Sequence, residues 1–298
     1  MLSIILGAIA QGLLWAIMTI GVFITFRILN FADLSVEGSI TTGAAIAATC
    51  IYLGFNPFIA TLLALWGGML AGLATGLLHT QLKIPALLAG ILTMIGLYSV
   101  NLRIMGRANI SLLRLNTIYT PFQQNLGLTK AVIITGFLAV LTIIGLLYWF
   151  FGTEIGCALR ATGNNPQMAR AQGINTKTMI ILGLLISNGL VGFSGALIAQ
   201  SQSFADVQMG IGSIVIGLAS VIIGEVLFGT RNFFNYLISL VLGAITYRII
   251  IALVLKMGMP ATDLKLFTAL TVAIALALPI FKDYLRPLKK STEEEQKC

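Results

Sequence analysis

Residues Gly152 to Lys177 read Gly-Thr-Glu-Ile-Gly-Cys-Ala-Leu-Arg-Ala-Thr-Gly-Asn-Asn-Pro-Gln-Met-Ala-Arg-Ala-Gln-Gly-Ile-Asn-Thr-Lys, the longest polar interval with helical order in an otherwise apolar chain. The stretch predicts two short helices. Glu154 to Ala161 has its acid at the start and Arg160 near the end, as the helix dipole favours, and Thr162-Gly163 is expected to break it. Asn164 or Asn165 can cap the next helix, Pro166 suits its first turn, and Gly173 can end it before Ile174. On that second helix Met168, Ala171 and Gln172 share one face, and Ala169, Arg170 and Gly173 share another. Two readings stay open from the residues alone: an ordinary loop containing some helix, or a docking element for a protein outside the membrane.

The chain as a whole is 58% hydrophobic and 9% charged over 298 residues. Such a composition excludes an ordinary soluble globule and predicts an all-α polytopic membrane protein. A hydrocarbon core of ~30 Å takes about 20 apolar residues as helix. About nine runs qualify, at 2–26, 37–53, 57–79, 85–102, 131–151, 178–201, 210–229, 232–255 and 260–281. The first lacks a basic start and a small-residue cleavage site, so it reads as a retained span. Cys50, Cys157 and Cys298 have no paired spacing and His79 is the single histidine, so neither a disulfide framework nor a metal site is expected. The net charge of +8 is scattered between spans, which points to loop orientation and away from nucleic acid.

Placing 152–177 in the cytoplasm orients every other loop by counting spans, with the N-terminus outside and the C-terminus inside. Arg27, Lys83, Arg231 and the lysines after 281 then join Arg160, Arg170 and Lys177 on the cytoplasmic side, as the positive-inside tendency asks. The loop at 103–130, with Arg103, Arg107, Arg114 and Lys130 and no acid, runs against it. If external, its arginines suit acidic patches on a binding protein; a solvated hairpin is an equal reading. The tail 283–298, with Lys289-Lys290 and Glu293 to Glu295 and no apolar period, is expected to be disordered.

An internal repeat is also visible. Asn30-Phe-Ala-Asp-Leu-Ser-Val-Glu-Gly-Ser-Ile40 opens the second run, and Ser203-Phe-Ala-Asp-Val-Gln-Met-Gly-Ile-Gly-Ser-Ile214 opens the seventh. Phe31-Ala32-Asp33 returns as Phe204-Ala205-Asp206, Gly38-Ser39-Ile40 as Gly212-Ser213-Ile214, and Lys83-Ile84-Pro85 as Lys256 to Pro260. The copies, about 30–102 and 203–281, begin an odd number of spans apart. They are therefore expected to be inverted within a single permease domain spanning 1–298, an arrangement suited to rocking around a shared site. That site is sought at the polar entry of each copy. Asn30, Asp33, Ser35, Glu37 and Ser39 in the first, and Asp206, Gln208 and Ser213 in the second, are its candidate lining. Solvated loops at opposite surfaces are the competing reading, since irregular backbone inside lipid survives only when buried in protein or lining a wet cavity.

Other polar residues in spans are costly in lipid and each needs a partner. Glu225 is expected to pair with Arg231 or snorkel, and Arg248 to snorkel or pair with a neighbouring span. Asn188 and Gln200 can serve as inter-helix hydrogen bonds or as ligands.

The order Gly156, Arg160-Ala161, Gly163, Asn165, Ala169, Gly173-Ile174 resembles the cytoplasmic coupling segment of permease subunits in bacterial ATP-binding-cassette (ABC) importers of the branched-chain amino acid and ribose type. Asp33-Leu34-Ser35-Val36-Glu37-Gly38-Ser39 resembles the Asp-Leu-Ser-Val-Gly-Ser of ribose-type permeases, with Glu37 inserted, and Asn30-Phe31-Ala32 is similar to the Asn-Phe-Ala of amino acid permeases. The resemblance covers about residues 27–281. It implies a multi-pass protein of the bacterial inner membrane working as a dimer, with a homodimer expected, beside two cytoplasmic ATPase subunits and an extracytoplasmic binding protein. The coupling residues would be Arg160, Gly163, Asn164, Asn165, Pro166, Ala169, Arg170, Gly173 and Ile174. No Gly-x-x-x-x-Gly-Lys-[Ser/Thr] phosphate loop or nucleophile–base pair occurs, so the chain is not expected to be an enzyme or to hold a cofactor, with ATP and Mg on the partner. The expected cargo is a small hydrophilic solute, with an amino acid preferred over a sugar or nucleoside. The rival classes are an ion-coupled secondary transporter driven through Asp33, Glu37 or Asp206, and a passive channel.

Overall fold

The computed structural model describes residues 2–256, together with Leu266, Leu270 and Ala273. Helix α1 (Leu2–Phe23) runs into a π-helical turn at Ile24–Ile28. A non-helical stretch to Ser35 leads to α2 (Val36–Tyr52), followed by α3 (Pro57–Thr80) and α4 (Ala86–Met105). A short strand β1 (Asn109–Ser111) and helix α5 (Thr120–Leu126) precede α6 (Leu128–Phe151). Then come α7 (Glu154–Asn164), α8 (Pro166–Ala171), α9 (Thr176–Gln202), β2 (Phe204–Asp206), α10 (Ser213–Phe228) and α11 (Phe233–Lys256).

Among the described residues six stretches are long and apolar enough to cross a membrane: Ser3–Ile28, Pro57–Thr80, Ala86–Met105, Leu128–Phe151, Thr176–Gln202 and Phe233–Lys256. Helices α2 and α10, expected to span, have only 17 and 16 residues. At 1.5 Å per residue each reaches about 25 Å, short of a ~30 Å hydrocarbon core. The run at 260–281, most of the second repeat's third span, and the tail at 283–298 lie outside the described residues, save for the three isolated positions.

Helix α9 is the centre of one half of the bundle, packed on α2 and α3, while α1 packs on α11 and α10. Glycine makes the first contact close. A Cβ on Gly192 of α9 would lie 2.8 Å from the Ala64 carbonyl and 3.0 Å from the Gly68 Cα on α3. The backbones approach because neither residue carries a side chain. At the end of the bundle away from α7, β1 pairs antiparallel with β2, Asn109 opposite Asp206 and Ser111 opposite Phe204. An all-helical expectation missed this clasp, which three residues from each strand suffice to make.

Candidate functional site

The stretch from Asn30 to Ser35 is not helical because its polar groups have other partners. Asp33 is buried, and its Oδ1 accepts from the Ser35 N–H at 2.9 Å and from the Ser35 hydroxyl. Its Oδ2 accepts from Nδ2 of Asn188 on α9 at 2.8 Å. The Ser39 hydroxyl donates to Asn188 Oδ1 at 2.6 Å. Asp33, Ser35, Ser39 and Asn188 are therefore one buried, mutually hydrogen-bonded cluster. Asn188 sits midway along α9, so α2 begins inside the bundle at that level.

The start of α10 reaches the neighbouring position. Gly210 packs against the backbone of Glu37 and the side chains of Ile40 and Thr41. Glu37 Oε1 accepts from the Gly212 N–H at 2.9 Å, across 175 residues of sequence. The carboxylate thus meets the positive N-terminal end of α10 while lying in the first turn of α2, both placements that a helix dipole favours. From this meeting point α2 runs toward the β1–β2 end, and α10 runs toward α7. Ser213 is buried, and its hydroxyl finds no partner among the described residues.

Asp206 and Gln208 lie elsewhere. Asp206 Oδ1 accepts from the Gln208 N–H at 2.7 Å, its Oδ2 faces Asn109 Nδ2 at 3.3 Å, and Gln208 is exposed. They hold the turn after β2 and do not join Asp33. Asn30 is exposed at positive φ, at the α7 end of the molecule. There it lines a cavity of about 720 Å³ with Arg27, Arg160, Gly163, Asn164 and Tyr236 among others.

That cavity lies beside the seat of the α7–α8 hairpin on the core, with Gly163 and Ile28 in its wall. The Thr153 hydroxyl caps α7 by accepting from the Gly156 N–H at 3.3 Å. Asn165 caps α8, its Oδ1 accepting from the N–H groups of Gln167 and Met168 at 3.1 and 3.0 Å, with Pro166 at the first position. Gly173 takes φ +82 just beyond the end of α8. The expected break at Thr162-Gly163 does not occur, because α7 continues to Asn164. Gly163 instead serves as a contact: a Cβ there would run into the Ile28 carbonyl and lie 2.8 Å from the Leu29 Cα. Ala169 is buried, Ile174 is half-buried, and Asn164, Pro166, Met168 and Arg170 are exposed. Arg160 turns back to the bundle, donating to the Phe151 carbonyl and lying 5.1 Å from the Phe233 ring centroid. Arg170 donates through Nε to the Pro166 carbonyl of its own helix at 3.1 Å.

Glu225 does not pair with Arg231. Its carboxylate takes a two-pronged contact from Arg27, Nε to Oε1 at 2.7 Å and Nη2 to Oε2, and accepts from the Tyr236 hydroxyl. Sequence reasoning looked six residues along for a partner and missed one 198 residues away. Span counting had already placed both charges at the same face, which was the available signal. Arg248 lies 4.1 Å from the Trp15 ring centroid, a cation–π contact, and its Nε has no partner among the described residues. Gln200 joins helices, its Nε2 donating to Thr61 at 2.8 Å and its Oε1 accepting from the Ile118 N–H at 2.9 Å. No group of three His, Cys, Asp or Glu among the described residues could hold a metal ion.

Residues 4–278 match the family described as branched-chain amino acid transport system, permease component. The chain is 43% identical over 276 residues to a tyrosine transport system permease protein of Clostridioides difficile, covering 93% of this chain and 91% of that one. An uncharacterised protein of Rickettsia prowazekii is 34% identical, with 93% and 98% covered. The autoinducer 2 import system permease protein LsrC of Yersinia pseudotuberculosis is 29% identical, with 89% and 73% covered. Among solved structures, a metal-chelate type ABC transporter in an inward-facing conformation superposes with a TM-score of 0.50 at 15% identity, covering 94% of this chain and 85% of that one, a likeness of fold alone. The chain belongs to the branched-chain amino acid transport system permease family and is an integral membrane permease of the ABC transporter class.

Proposed function

We propose that the chain forms the translocation pathway of an ATP-driven importer of an amino acid. The observation that carries this reading is the α7–α8 hairpin. Its outer face is exposed and largely polar, with Ile155 and Met168 among the exposed side chains, while its inner face is seated on the Ile28 carbonyl through Gly163. Beside that seat, Arg27 ties the end of α1 to Glu225 on α10, whose other end meets Glu37 of α2. A push on the hairpin therefore has a packed route to the point where the two short helices begin. Exposed Met168 and Arg170 would contact a cytoplasmic ATPase, and Arg160 would hold the hairpin to the bundle.

The further assembly follows from this reading: two ATPase subunits carrying ATP and Mg, an extracytoplasmic binding protein, and a second copy of this chain. Residues 152–177 would face the cytoplasm, with the N-terminus outside. The inverted repeat is supported by reciprocal packing, since α9, which precedes the second copy, packs on α3 of the first, and α1, which precedes the first, packs on α11 of the second. The two short helices leaving one level in opposite directions agree with it. An amino acid cargo is favoured by the tyrosine permease relative, and the autoinducer 2 permease relative favours a different solute as the second reading.

The test is purification of the tagged chain from its native membrane in mild detergent, with mass spectrometry of what accompanies it. An ATP-binding subunit in near-stoichiometric amount is the expected result. A chain recovered alone that still transports in ATP-free liposomes would overturn the proposal in favour of coupling through carboxylates. Uptake of labelled tyrosine against labelled autoinducer 2 then separates the two solute readings.

A further inference from the structure

Next to the meeting point of α2 and α10 lies a cavity of about 420 Å³, within the ~300–1,000 Å³ range of small-molecule sites. Its chemistry is uneven. Glu37 supplies the one charged side chain among its described lining, and no basic residue is present there. Asn101 of α4 is buried, 1% exposed; its Nδ2 donates to the Gly38 carbonyl at 3.3 Å, and its Oδ1 has no partner among the described residues. The remaining wall is largely apolar or aromatic, with Met94, Ile95 and Tyr98 of α4 and Ile211 of the turn before α10. Ile95, Tyr98 and Ile211 are exposed, at 60%, 47% and 61%.

Here the Glu37 carboxylate lines a cavity whose other walls take an apolar body, while the Oδ1 of Asn101 is shut off from solvent. We infer that this cavity binds the transported solute, with Glu37 receiving its ammonium group and Met94, Ile95, Tyr98 and Ile211 enclosing an apolar or aromatic side chain. The inference rests on the amino acid reading above and adds the place and polarity of recognition. Because Glu37 also accepts from the Gly212 N–H, ligand bound to its carboxylate would touch the start of α10 directly. Occupancy would then be felt by the helix whose far end carries Glu225.

The test uses the complete importer in proteoliposomes, with L-tyrosine as the probe for uptake and for equilibrium binding to the permease–ATPase complex. The competitors are tyramine, which keeps the ammonium, and 3-(4-hydroxyphenyl)propionate, which lacks it. In the wild type, tyramine is expected to displace L-tyrosine at least tenfold better than the propionate. Glu37→Gln keeps an acceptor for Gly212 but removes the charge. Its expected effects are an at least tenfold loss of binding and collapse of that preference, with assembled complex recovered in normal amount. Ile95→Trp, on the exposed face of α4, is expected to abolish binding by filling the cavity. A preference that survives Glu37→Gln, or binding and uptake that survive both variants in an importer that transports L-tyrosine, would overturn the site and leave the amino acid reading standing. A wild-type importer that takes up autoinducer 2 and no L-tyrosine would overturn the amino acid reading and the site with it.

Discussion

Asn188 is the residue on which the polar core turns. It donates to Asp33 and accepts from Ser39, so one side chain satisfies groups that arrive from the other side of a 150-residue interval. Replacing it by alanine leaves the Asp33 Oδ2 without its donor in a buried site, for which a loss of about 2–4 kcal/mol is expected. Thermal unfolding of the detergent-purified protein measures it, and a drop no larger than that of an exposed control such as Gln167→Ala would show the cluster to be dispensable. The Arg27–Glu225 pair makes a different prediction. Arg27 is 46% exposed at its side chain, so the pair contributes little to stability, on the order of 1 kcal/mol or less. Its expected role is to carry motion from α1 to α10. Arg27→Glu should lower uptake at least tenfold with near-normal yield, and Arg27→Glu with Glu225→Arg should restore a part of it. Equal loss in the single and the exchanged variant would exclude a pairing role.

The α7–α8 hairpin shows how local and long-range causes divide within one element. Its caps at Thr153 and Asn165, the early Pro166 and the positive-φ Gly173 are short-range devices, and apart from Thr153 they were legible from residue order. Gly163 was misread as a breaker because glycine weakens a helix, yet here it remains helical so that α7 can lie against the Ile28 carbonyl. Gly163→Val forces that contact apart, with a local cost of about 1–3 kcal/mol, and is expected to detach the hairpin from its seat. Co-purification of the ATPase should fall severalfold while the membrane-spanning helices remain folded by circular dichroism. Arg170→Glu, which changes only an exposed side chain, should weaken the same association without loss of stability. Normal association in both variants would place the docking surface elsewhere.

For the molecule as a whole, sidedness is the property to measure. Cys157 is exposed on α7, and Cys50 is half-buried on α2. In a Cys50→Ser, Cys298→Ser background, a membrane-impermeant maleimide should label Cys157 in inverted vesicles and not in intact cells. Labelling from the outer face would reverse the proposed orientation and remove the ATPase contact. At this scale the bundle's extent was legible through the long apolar runs, because lipid demands them. The lengths of α2 and α10 were not, since both start inside protein where their polar entries are satisfied by Asn188 and Glu37. The repeat drew attention to Asp33 and Asp206 together. They are not equivalent in place: Asp33 is buried in the bundle, whereas Asp206 holds a surface turn beside β1.

Residue order alone determined that this chain lives in a membrane as helices, where its principal polar hairpin lies and how that hairpin is capped. These follow from the cost of polar groups in lipid and from backbone preferences acting over a few residues. The tertiary structure alone decided that Glu37 meets the Gly212 N–H at the start of α10, that Asp33 belongs to Asn188 and that Glu225 belongs to Arg27. Those pairings span 150 to 200 positions, and a hydrogen bond depends on distance in space, which apolar periodicity does not encode.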